Sequence, residues 1–305
     1  MIVSPEVNIQ SCPACERIAK CYGPILGRPG VIDLASDGLL WGCGTCGLFF
    51  RSPYPTEAEL DRQYAKVDTK LWAEEATRPD FDLAERKLAE LCADGHVLDV
   101  GCYSGRFLGK LPPTFAKYGI EKSVHGRRES EEKGIRILGA RIQDIPPAEA
   151  QFDVITAFDV LEHIRNPADF MRQVARLLPG GGVFVGSTGN CDHWAWRMSR
   201  QDHWYYFPDH VSFLSPRWFQ WFCGFEEGLE VLEVVRFSRC AGGRGMRLRQ
   251  AVRFLRYHGS QAFHRAFRTA SAGSFAGGAG SAERATRAPA TNLLRDHFMV
   301  FLRKS

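Results

Sequence analysis

From His96 onward, short apolar runs alternate with longer segments in which apolar residues recur at helical spacing. The most distinct runs cover residues 97–100, 118–121, 152–157 and 182–186. Strands that alternate with helices favour a parallel sheet with helices on both faces. Two later runs, 229–235 and 298–302, are predicted as edge strands. The pattern therefore predicts an α/β core over residues 93–240 and a last core strand over 297–305.

The N-terminal segment has a different composition, rich in cysteine and glycine, with short apolar stretches at 38–41 and 48–50. This pattern predicts a small β-rich module rather than a helix. Four cysteines form two Cys-x-x-Cys pairs, Cys12 with Cys15 and Cys43 with Cys46. Tetrahedral zinc favours this arrangement, because each turn presents two thiolates to one ion. We expect a zinc ribbon over residues 1–52 with a closed, structural Zn²⁺ site; two surface thiol pairs are the alternative.

A helical linker is predicted between the module and the core. Ser52-Pro-Tyr-Pro55 interrupts the chain, and Thr56 can cap a helix through Glu59. Charged, helical sequence continues to about Cys92. These signals assign residues 53–92 to the linker.

A basic insertion, residues 241–296, precedes the last strand. Apolar residues recur at helical spacing from Leu248 to Phe267, and residues 270–290 are rich in Ala, Gly and Ser, as in a flexible linker. Four arginines lie largely opposite the apolar positions: Arg249, Arg253, Arg256 and Arg268. A basic amphipathic helix over 244–268 can rest on an anionic membrane surface. The alternative is a helix packed on the core with a solvated basic face.

The bulk properties narrow the class of protein. The chain has 305 residues, 45% of them hydrophobic and 24% charged, as in ordinary folded proteins. A net charge of +4 does not by itself indicate a nucleic-acid partner. The N-terminus shows no secretory signal, and no apolar run reaches the roughly 18 residues of a membrane span. We therefore expect a cytoplasmic protein.

The strongest chemical signal is the glycine turn after the first core strand, Val97-Leu-Asp-Val-Gly-Cys-Tyr-Ser-Gly105. Glycine lets the backbone turn sharply and approach a ligand closely. The turn resembles the first motif of class I S-adenosylmethionine-dependent methyltransferases, acidic-x-Gly-x-Gly-x-Gly, with Tyr103 in place of the middle glycine. The resemblance implies a Rossmann-like, mostly parallel seven-stranded sheet and S-adenosylmethionine as the cofactor.

Other positions extend this resemblance. Glu121 ends the second strand, where an acid can accept hydrogen bonds from both ribose hydroxyls. Asp144, or its neighbour Gln143, occupies the place of a polar contact to the adenine amino group. Residues 152–164 resemble the fourth-strand motif of the family. The resemblance thus implies a cofactor site that contains Asp99, Gly101, Cys102, Tyr103, Gly105, Glu121, Asp144, Ile145, Phe158 and Asp159.

The acceptor side is predicted in residues 190–221, which hold five of the seven tryptophans. Sugar and natural-product members of the family often carry a histidine before a Phe-Ser segment here, as in Pro208-Asp-His-Val-Ser-Phe213. His210 is therefore the first candidate for a base or substrate contact, followed by His203 and His163. A structural role for His210 is the alternative.

Asp159, Glu162 and His163 form a second group of polar residues. If a helix begins near Asp159, their spacing places them on one face. A similar acid-x-x-Glu-His run in quinone-biosynthesis O-methyltransferases holds a divalent metal beside the acceptor. The simpler alternative is packing on the cofactor side, which we favour.

The order of segments also resembles methyltransferases encoded with polysaccharide and antibiotic pathways. In these proteins a Cys-x-x-Cys knuckle precedes a segment like Cys46-Gly-Leu-Phe-Phe-Arg-Ser-Pro-Tyr-Pro55, and the core follows. The resemblance implies O-methylation of a sugar or another small hydroxylated acceptor. One alternative is a ribosomal-RNA base methyltransferase with a zinc ribbon, although Phe158-Asp-Val-Leu-Glu-His163 replaces the Asn-Pro-Pro-Tyr type of motif. The other is a non-catalytic interaction protein, supported only by Tyr103.

Overall fold

The computed structural model describes residues 9–25, 38–64, 78–145, 151–226, 228–240, 242–271 and 289–305. Its strands are β1 (Gln10–Ser11), β2 (Ile18–Pro24), β3 (Leu39–Gly42), β4 (Phe49–Ser52), β5 (Gly95–Val100), β6 (Phe115–Ile120), β7 (Arg136–Gly139), β8 (Val154–Phe158), β9 (Val183–Gly189), β10 (Ser212–Phe213), β11 (Leu229–Phe237) and β12 (His297–Lys304). Its α-helices are α1 (Glu57–Tyr64), α2 (Pro79–Leu91), α3 (Arg106–Lys110), α4 (Val124–Glu132), α5 (Pro167–Leu177), α6 (Trp194–Ser199), α7 (Pro216–Phe225) and α8 (Arg244–Ser271).

Seven strands form the central sheet in the order β11-β12-β9-β8-β5-β6-β7. Neighbours from β7 to β9 pair in parallel, whereas β12 is antiparallel to both β9 and β11. From β5 the chain proceeds to one side through β6 and β7, and then to the other side through β8 and β9. In open α/β sheets, ligands bind beyond the carboxyl ends of the strands where the order reverses in this way. The predicted Rossmann-like, mostly parallel seven-stranded sheet is confirmed.

Alternate residues of each central strand pack on opposite faces of the sheet. On β5, Val97 belongs to a buried cluster with Leu88 of α2, whereas Leu98 belongs to a second cluster with Met171 of α5. Side chains alternate across a strand, so each face needs its own helical layer to be buried. The helices on both faces follow from this requirement.

A second sheet has the order β1-β2-β3-β4-β10. Its first four strands come from the cysteine-rich segment, but β10 follows His210 in the core region and pairs antiparallel with β4. The Arg51 amide donates to the Val211 carbonyl at 2.9 Å. The cysteine-rich module therefore shares its sheet with the segment that carries His210.

The Arg51 side chain joins the same two parts of the chain. It is fully buried, and its Nη2 donates to the carbonyl oxygens of Phe207 at 2.9 Å and Tyr206 at 3.5 Å. Hydrogen bonds from a charged group are stronger than those between neutral groups. Arg51 thus fixes the backbone just before His210.

The structure corrects one predicted element. Residues 298–302 are not an edge strand, because β12 lies between β9 and β11 and all five residues are buried. The edge position belongs to β11. A short apolar run has the same local pattern in either position, so only long-range pairing distinguishes them.

Two local predictions about the linker and the insertion can be compared with the structure. Thr56 caps α1 as predicted: its Oγ1 accepts the Glu59 amide at 3.2 Å, and Glu59 Oε2 accepts the Thr56 amide at 2.7 Å. The linker contains α1 and α2, and the insertion contains α8. Most of the Ala/Gly/Ser-rich stretch 270–290 lies outside the described residues.

Among the helices that are described, none combines the length and apolar character of a membrane span.

Candidate functional site

The turn between β5 and α3 requires left-handed backbone at three positions: Gly101 (φ 73°), Tyr103 (φ 48°) and Gly105 (φ 70°). Glycine adopts this conformation without steric cost, whereas a residue with a Cβ loses about 1–2 kcal/mol. A Cβ on Gly101 would lie 2.6 Å from Val160 Cγ2, and Ile135 Cδ1 fills the corresponding space at Gly105. Gly101 is nevertheless exposed. The turn therefore presents bare backbone at the carboxyl edge of the sheet.

Glu121 lies beside this turn, directly after β6. Its carboxylate accepts the amide N–H groups of Tyr103 at 2.8 Å and Ser123 at 2.6 Å. Burial raises the pKa of Glu121, and these two amides oppose that shift. A carboxylate has about four lone-pair sites, so it can still accept hydrogen bonds from a ligand. Glu121 thus lies beside the glycine turn, and its contact with ribose hydroxyls stays a prediction.

Asp99 occupies a more enclosed position within β5. It is 3% exposed, and its Oδ1 accepts the Thr156 hydroxyl of β8 at 2.7 Å. Burial raises the pKa of Asp99 to about 7, although the Thr156 bond and the Arg78 guanidinium act in the opposite direction. Asp99 therefore joins two central strands at the base of the glycine turn.

The residues predicted to contact adenine follow β7. Asp144 Oδ2 accepts the amides of Ala140 at 2.9 Å and Arg141 at 2.8 Å, which closes the turn. Asp144 and Gln143 are both exposed, whereas Ile145 is buried. The adenine contact remains a prediction for Asp144 and for Gln143.

Two further residues of the predicted cofactor set pack inside the core. Cys102 is buried, and its Sγ lies 2.5 Å from the place that a Cβ on Gly119 would occupy. Burial raises the pKa of the Cys102 thiol. The Phe158 ring contacts the rings of Phe107 and Phe81, with centroids 4.6 and 5.2 Å away. In this structure Cys102 and Phe158 support the turn from inside.

Asp159 directly follows β8, has a φ of 54° and lies between two guanidinium groups. Its Oδ2 accepts Arg78 Nη2 at 3.1 Å, and Arg239 Nη2 lies 2.9 Å away. Arg78 also binds Asp80 through two hydrogen bonds of 2.9 and 2.6 Å. Burial raises the pKa of Asp159, but Arg239 and Arg78 outweigh that effect and lower it. The carboxylate is therefore held ionised.

The helical face predicted for Asp159, Glu162 and His163 does not form. The chain makes only a 3-10 turn over Leu161–His163, and Asp159 is bound to the arginines. Among the described residues, His210 joins Glu162 and His163 instead, with one ligand atom from each lying within 4.8 Å of the others. The left-handed Asp159 redirects the backbone before the turn, which spacing alone does not predict.

Glu162 anchors this second group of residues. It is 1% exposed, and its carboxylate accepts the Tyr205 hydroxyl at 2.5 Å and the Thr188 hydroxyl at 2.8 Å. The Glu162 carbonyl also accepts the Val211 amide at 2.8 Å. These bonds join the end of β8, the end of β9 and the segment that carries His210.

The rings of His163 and His210 contact each other edge to face, with centroids 4.9 Å apart. His210 Nδ1 lies 2.8 Å from the Tyr205 carbonyl, and His163 Nδ1 lies 3.1 Å from the Asp209 carbonyl. A carbonyl only accepts, so both Nδ1 atoms carry the hydrogen. Burial lowers the pKa of His210. His210 is therefore a neutral imidazole whose Nε2 has a lone pair for a proton or a cation.

His203 has a different environment. Its ring stacks on Trp196 with a centroid distance of 4.1 Å, and it is 1% exposed. Its Nδ1 accepts the Tyr205 amide at 3.3 Å, and its Nε2 lies 3.4 Å from Thr291 Oγ1. With both nitrogens engaged in the protein, His203 is suited to holding the aromatic segment in place.

The four predicted metal-ligating cysteines converge. Cys12 Sγ lies 3.6 Å from Cys46 Sγ, Cys15 Sγ lies 3.4 Å from Cys43 Sγ, and all four sulfurs are within 4.8 Å of one another. A tetrahedral ion with bonds of about 2.3 Å requires sulfurs about 3.8 Å apart. A residue with left-handed backbone follows each Cys-x-x-Cys pair, Glu16 after the first and Gly47 after the second. The donor set and its spacing therefore fit Zn²⁺.

Sequence reasoning missed several residues of the site. Arg78 and Arg239 belong to the missed residues, because nothing in the local sequence connects them with Asp159. His297 is another: it is 1% exposed, and its Nδ1 lies 2.9 Å from Asp296 Oδ1. Its Nε2 is buried with no hydrogen-bond partner among the described residues. An Asp–His pair at the start of β12 could be recognised only once β12 was placed beside β9.

The chain is similar in sequence to known proteins over its α/β core. Residues 69–234 match a family model described as a methyltransferase domain. The chain is 26% identical over 129 residues to a probable S-adenosylmethionine-dependent methyltransferase of Mycobacterium tuberculosis, covering 38% of this chain and 47% of that protein. It is 35% identical over 113 residues to a ubiquinone biosynthesis O-methyltransferase of Sodalis glossinidius, covering 34% and 45%. These matches span about half the length of the curated relatives.

Solved structures with a similar fold include the N-methyltransferase NodS from Bradyrhizobium japonicum in complex with S-adenosyl-L-homocysteine. It is 16% identical, has a TM-score of 0.46, and the alignment covers 81% of this chain and 97% of that one.

Proposed function

The chain belongs to the methyltransferase domain family, and on this premise we propose that it uses S-adenosylmethionine to O-methylate a small hydroxylated acceptor. A sugar or natural-product intermediate is the acceptor class that we favour. The observation that carries the proposal is His210, a buried neutral imidazole at the edge where the glycine turn, Glu121 and Asp159 also lie.

The residues at this edge fit the cofactor. Gly101 offers exposed backbone, and Glu121 retains lone pairs for ribose hydroxyls. When bound, S-adenosylmethionine supplies an electrophilic methyl group.

On the acceptor side, His210 Nε2 takes the proton of the acceptor hydroxyl. The Nδ1 bond to the Tyr205 carbonyl fixes the ring and its tautomer, as a second partner does for many catalytic histidines. Glu162 holds Tyr205 through the 2.5 Å hydroxyl bond. General-base assistance of this kind contributes typically 10²–10⁴-fold to a rate.

The test combines cofactor binding with turnover. Calorimetric titration with S-adenosylhomocysteine should show binding that Glu121→Ala weakens. His210→Gln should keep this binding but lower kcat at least about a hundredfold with hydroxylated acceptors. His125→Gln, at an exposed histidine of α4, is the matched control and should leave both unchanged. Full turnover by His210→Gln would refute its role, and absence of cofactor binding would refute the proposed activity.

The same cluster also has the spacing of a cation site, through Glu162, His163 and His210. EDTA distinguishes the two roles. Turnover that EDTA abolishes and Mg²⁺ or Mn²⁺ restores would assign His210 as a metal ligand. Turnover that is insensitive to EDTA, in protein that keeps its zinc, would assign it as the base.

We also propose that Cys12, Cys15, Cys43 and Cys46 hold one structural Zn²⁺. Elemental analysis should find one zinc per chain in the wild type and in Cys21→Ser, whose exposed cysteine lies outside the cluster. Cys46→Ser should lose the metal. The β4–β10 pairing predicts that this loss lowers acceptor turnover more than it weakens S-adenosylhomocysteine binding. Equal zinc content in both variants would contradict the assignment.

A further inference from the structure

Helix α8 carries a charge pattern that the methyl-transfer site does not use. It contains seven arginines and no acidic residue. Leu248, Val252 and Leu255 are 66%, 38% and 50% exposed. Spacings of four and three residues place these three side chains along one side of the helix. An aliphatic stripe therefore faces outward on a strongly basic helix.

A different side of α8 attaches it to the protein. Phe254 is fully buried and its ring contacts Trp194 of α6, with centroids 5.3 Å apart. The Tyr257 hydroxyl donates to Asp202 at 2.6 Å, and Gln250 Nε2 donates to Asn292 at 2.8 Å. A helix on a globular surface ordinarily buries its apolar stripe against the core. Here the stripe is left out of that contact.

Arginines border the exposed stripe, which corrects the prediction that they lie largely opposite the apolar positions. Arg249, Arg253 and Arg256 are exposed, and together with Leu248 and Val252 they line a cleft of about 380 Å³. Guanidinium groups and aliphatic side chains thus share one surface. A guanidinium binds phosphate through two parallel hydrogen bonds, while the aliphatic groups require an apolar environment. A ligand that satisfies both must offer phosphate beside hydrocarbon.

We propose that this face of α8 docks on an anionic lipid bilayer. The arginines bind lipid phosphates, and the stripe of Leu248, Val252 and Leu255 enters the boundary between headgroups and acyl chains. A second copy of the chain fits poorly, because two acid-free, arginine-rich helices repel each other. Nucleic acid would pair with the arginines but would not bury the aliphatic stripe.

The neighbouring helix α6 also carries exposed apolar side chains. Trp194 and Met198 of α6 are 42% and 45% exposed, and Ser199 Oγ lies 3.2 Å from His258 Nε2 of α8. Helix α6 belongs to the aromatic segment that leads to His210. Docking here would place the acceptor side of the protein near the bilayer.

Vesicle cosedimentation of the full chain tests the proposal. Vesicles of phosphatidylcholine with phosphatidylglycerol should bind the protein at low salt, and pure phosphatidylcholine should bind it far more weakly. The triple variant Arg249→Gln/Arg253→Gln/Arg256→Gln should lower the partition coefficient about a hundredfold, at about 1 kcal/mol per arginine. The variant Leu248→Ser/Val252→Ser/Leu255→Ser should lower it at least about tenfold.

A matched charge variant controls for net charge. Arg86→Gln/Arg128→Gln/Arg176→Gln removes three exposed arginines from α2, α4 and α5 and should bind vesicles like the wild type. Unchanged S-adenosylhomocysteine affinity in each variant shows that it is folded. The proposal is overturned if the wild type does not bind anionic vesicles, if the control triple loses binding equally, or if the serine variant binds like the wild type. Preferential, salt-dependent binding of RNA that the serine variant retains would overturn it in favour of nucleic acid.

Discussion

Asp99→Asn removes an ionisable group from the interior of the sheet, and its effect should depend on pH. Burial raises the pKa of Asp99 to about 7, whereas an aspartate in an unfolded chain titrates near 3.9. Between these values the unfolded state has released its proton while the folded state keeps it. The free energy of unfolding of the wild type therefore falls as pH rises through this window, and this contribution levels off above the folded pKa.

The magnitude follows from the size of the shift. Each pKa unit corresponds to 1.36 kcal/mol, so about three units amount to about 4 kcal/mol over the whole window. Between pH 5 and pH 8 the contribution of Asp99 to the free energy of unfolding of the wild type falls by about 2–3 kcal/mol. Asparagine can still accept the Thr156 hydroxyl through its side-chain oxygen, and it does not ionise. The variant should therefore gain about 2–3 kcal/mol over the wild type between these two pH values.

Urea unfolding of both proteins at intervals from pH 5 to pH 8 measures this difference. All other titrating groups are shared, so they cancel in the comparison. Asp94→Asn removes a carboxylate from an exposed turn and is the matched control, with an expected difference that stays constant across the range. A stability difference between wild type and Asp99→Asn that does not vary with pH would refute the reasoning. The reasoning would also be refuted if the wild type became more stable relative to Asp99→Asn as pH rises.

Two further substitutions test the turn and the buried network. Gly105→Ala should lower the thermal midpoint and abolish S-adenosylhomocysteine binding. Left-handed backbone costs a residue with a Cβ about 1–2 kcal/mol, and Ile135 occupies the space of the new methyl group. Wild-type affinity in a calorimetric titration would contradict this prediction. Tyr205→Phe leaves the buried Glu162 carboxylate without the hydroxyl at 2.5 Å and should destabilise the fold by about 1–3 kcal/mol in urea unfolding. Unchanged stability of that variant would show that the network contributes nothing.

Much of the local structure could be predicted from the sequence, because it depends on neighbours along the chain. Gly101 and Gly105 identified the turn, since left-handed backbone favours glycine. Thr56 and Glu59 identified the start of α1 through their reciprocal capping bonds. The two Cys-x-x-Cys pairs each fix two sulfurs locally, although only the fold brings the pairs together.

The tertiary structure alone decided how distant segments meet. Asp159 pairs with Arg78 and Arg239 rather than with Glu162. His210 replaces Asp159 in the group that contains Glu162 and His163. These residues are separated by tens of positions, so no spacing rule connects them.

The placement of whole strands was decided in the same way. The apolar run of β12 is compatible with an edge or an interior strand, and pairing with β9 and β11 makes it interior. β10 joins the cysteine-rich sheet through β4, which it meets only after most of the core has intervened. The sequence by itself determined six strands of the central sheet, the glycine turn and the start of α1, because backbone conformation and amphipathic period are local properties. The site required the fold, because hydrogen bonds and ion pairs between distant residues depend on which surfaces are buried together.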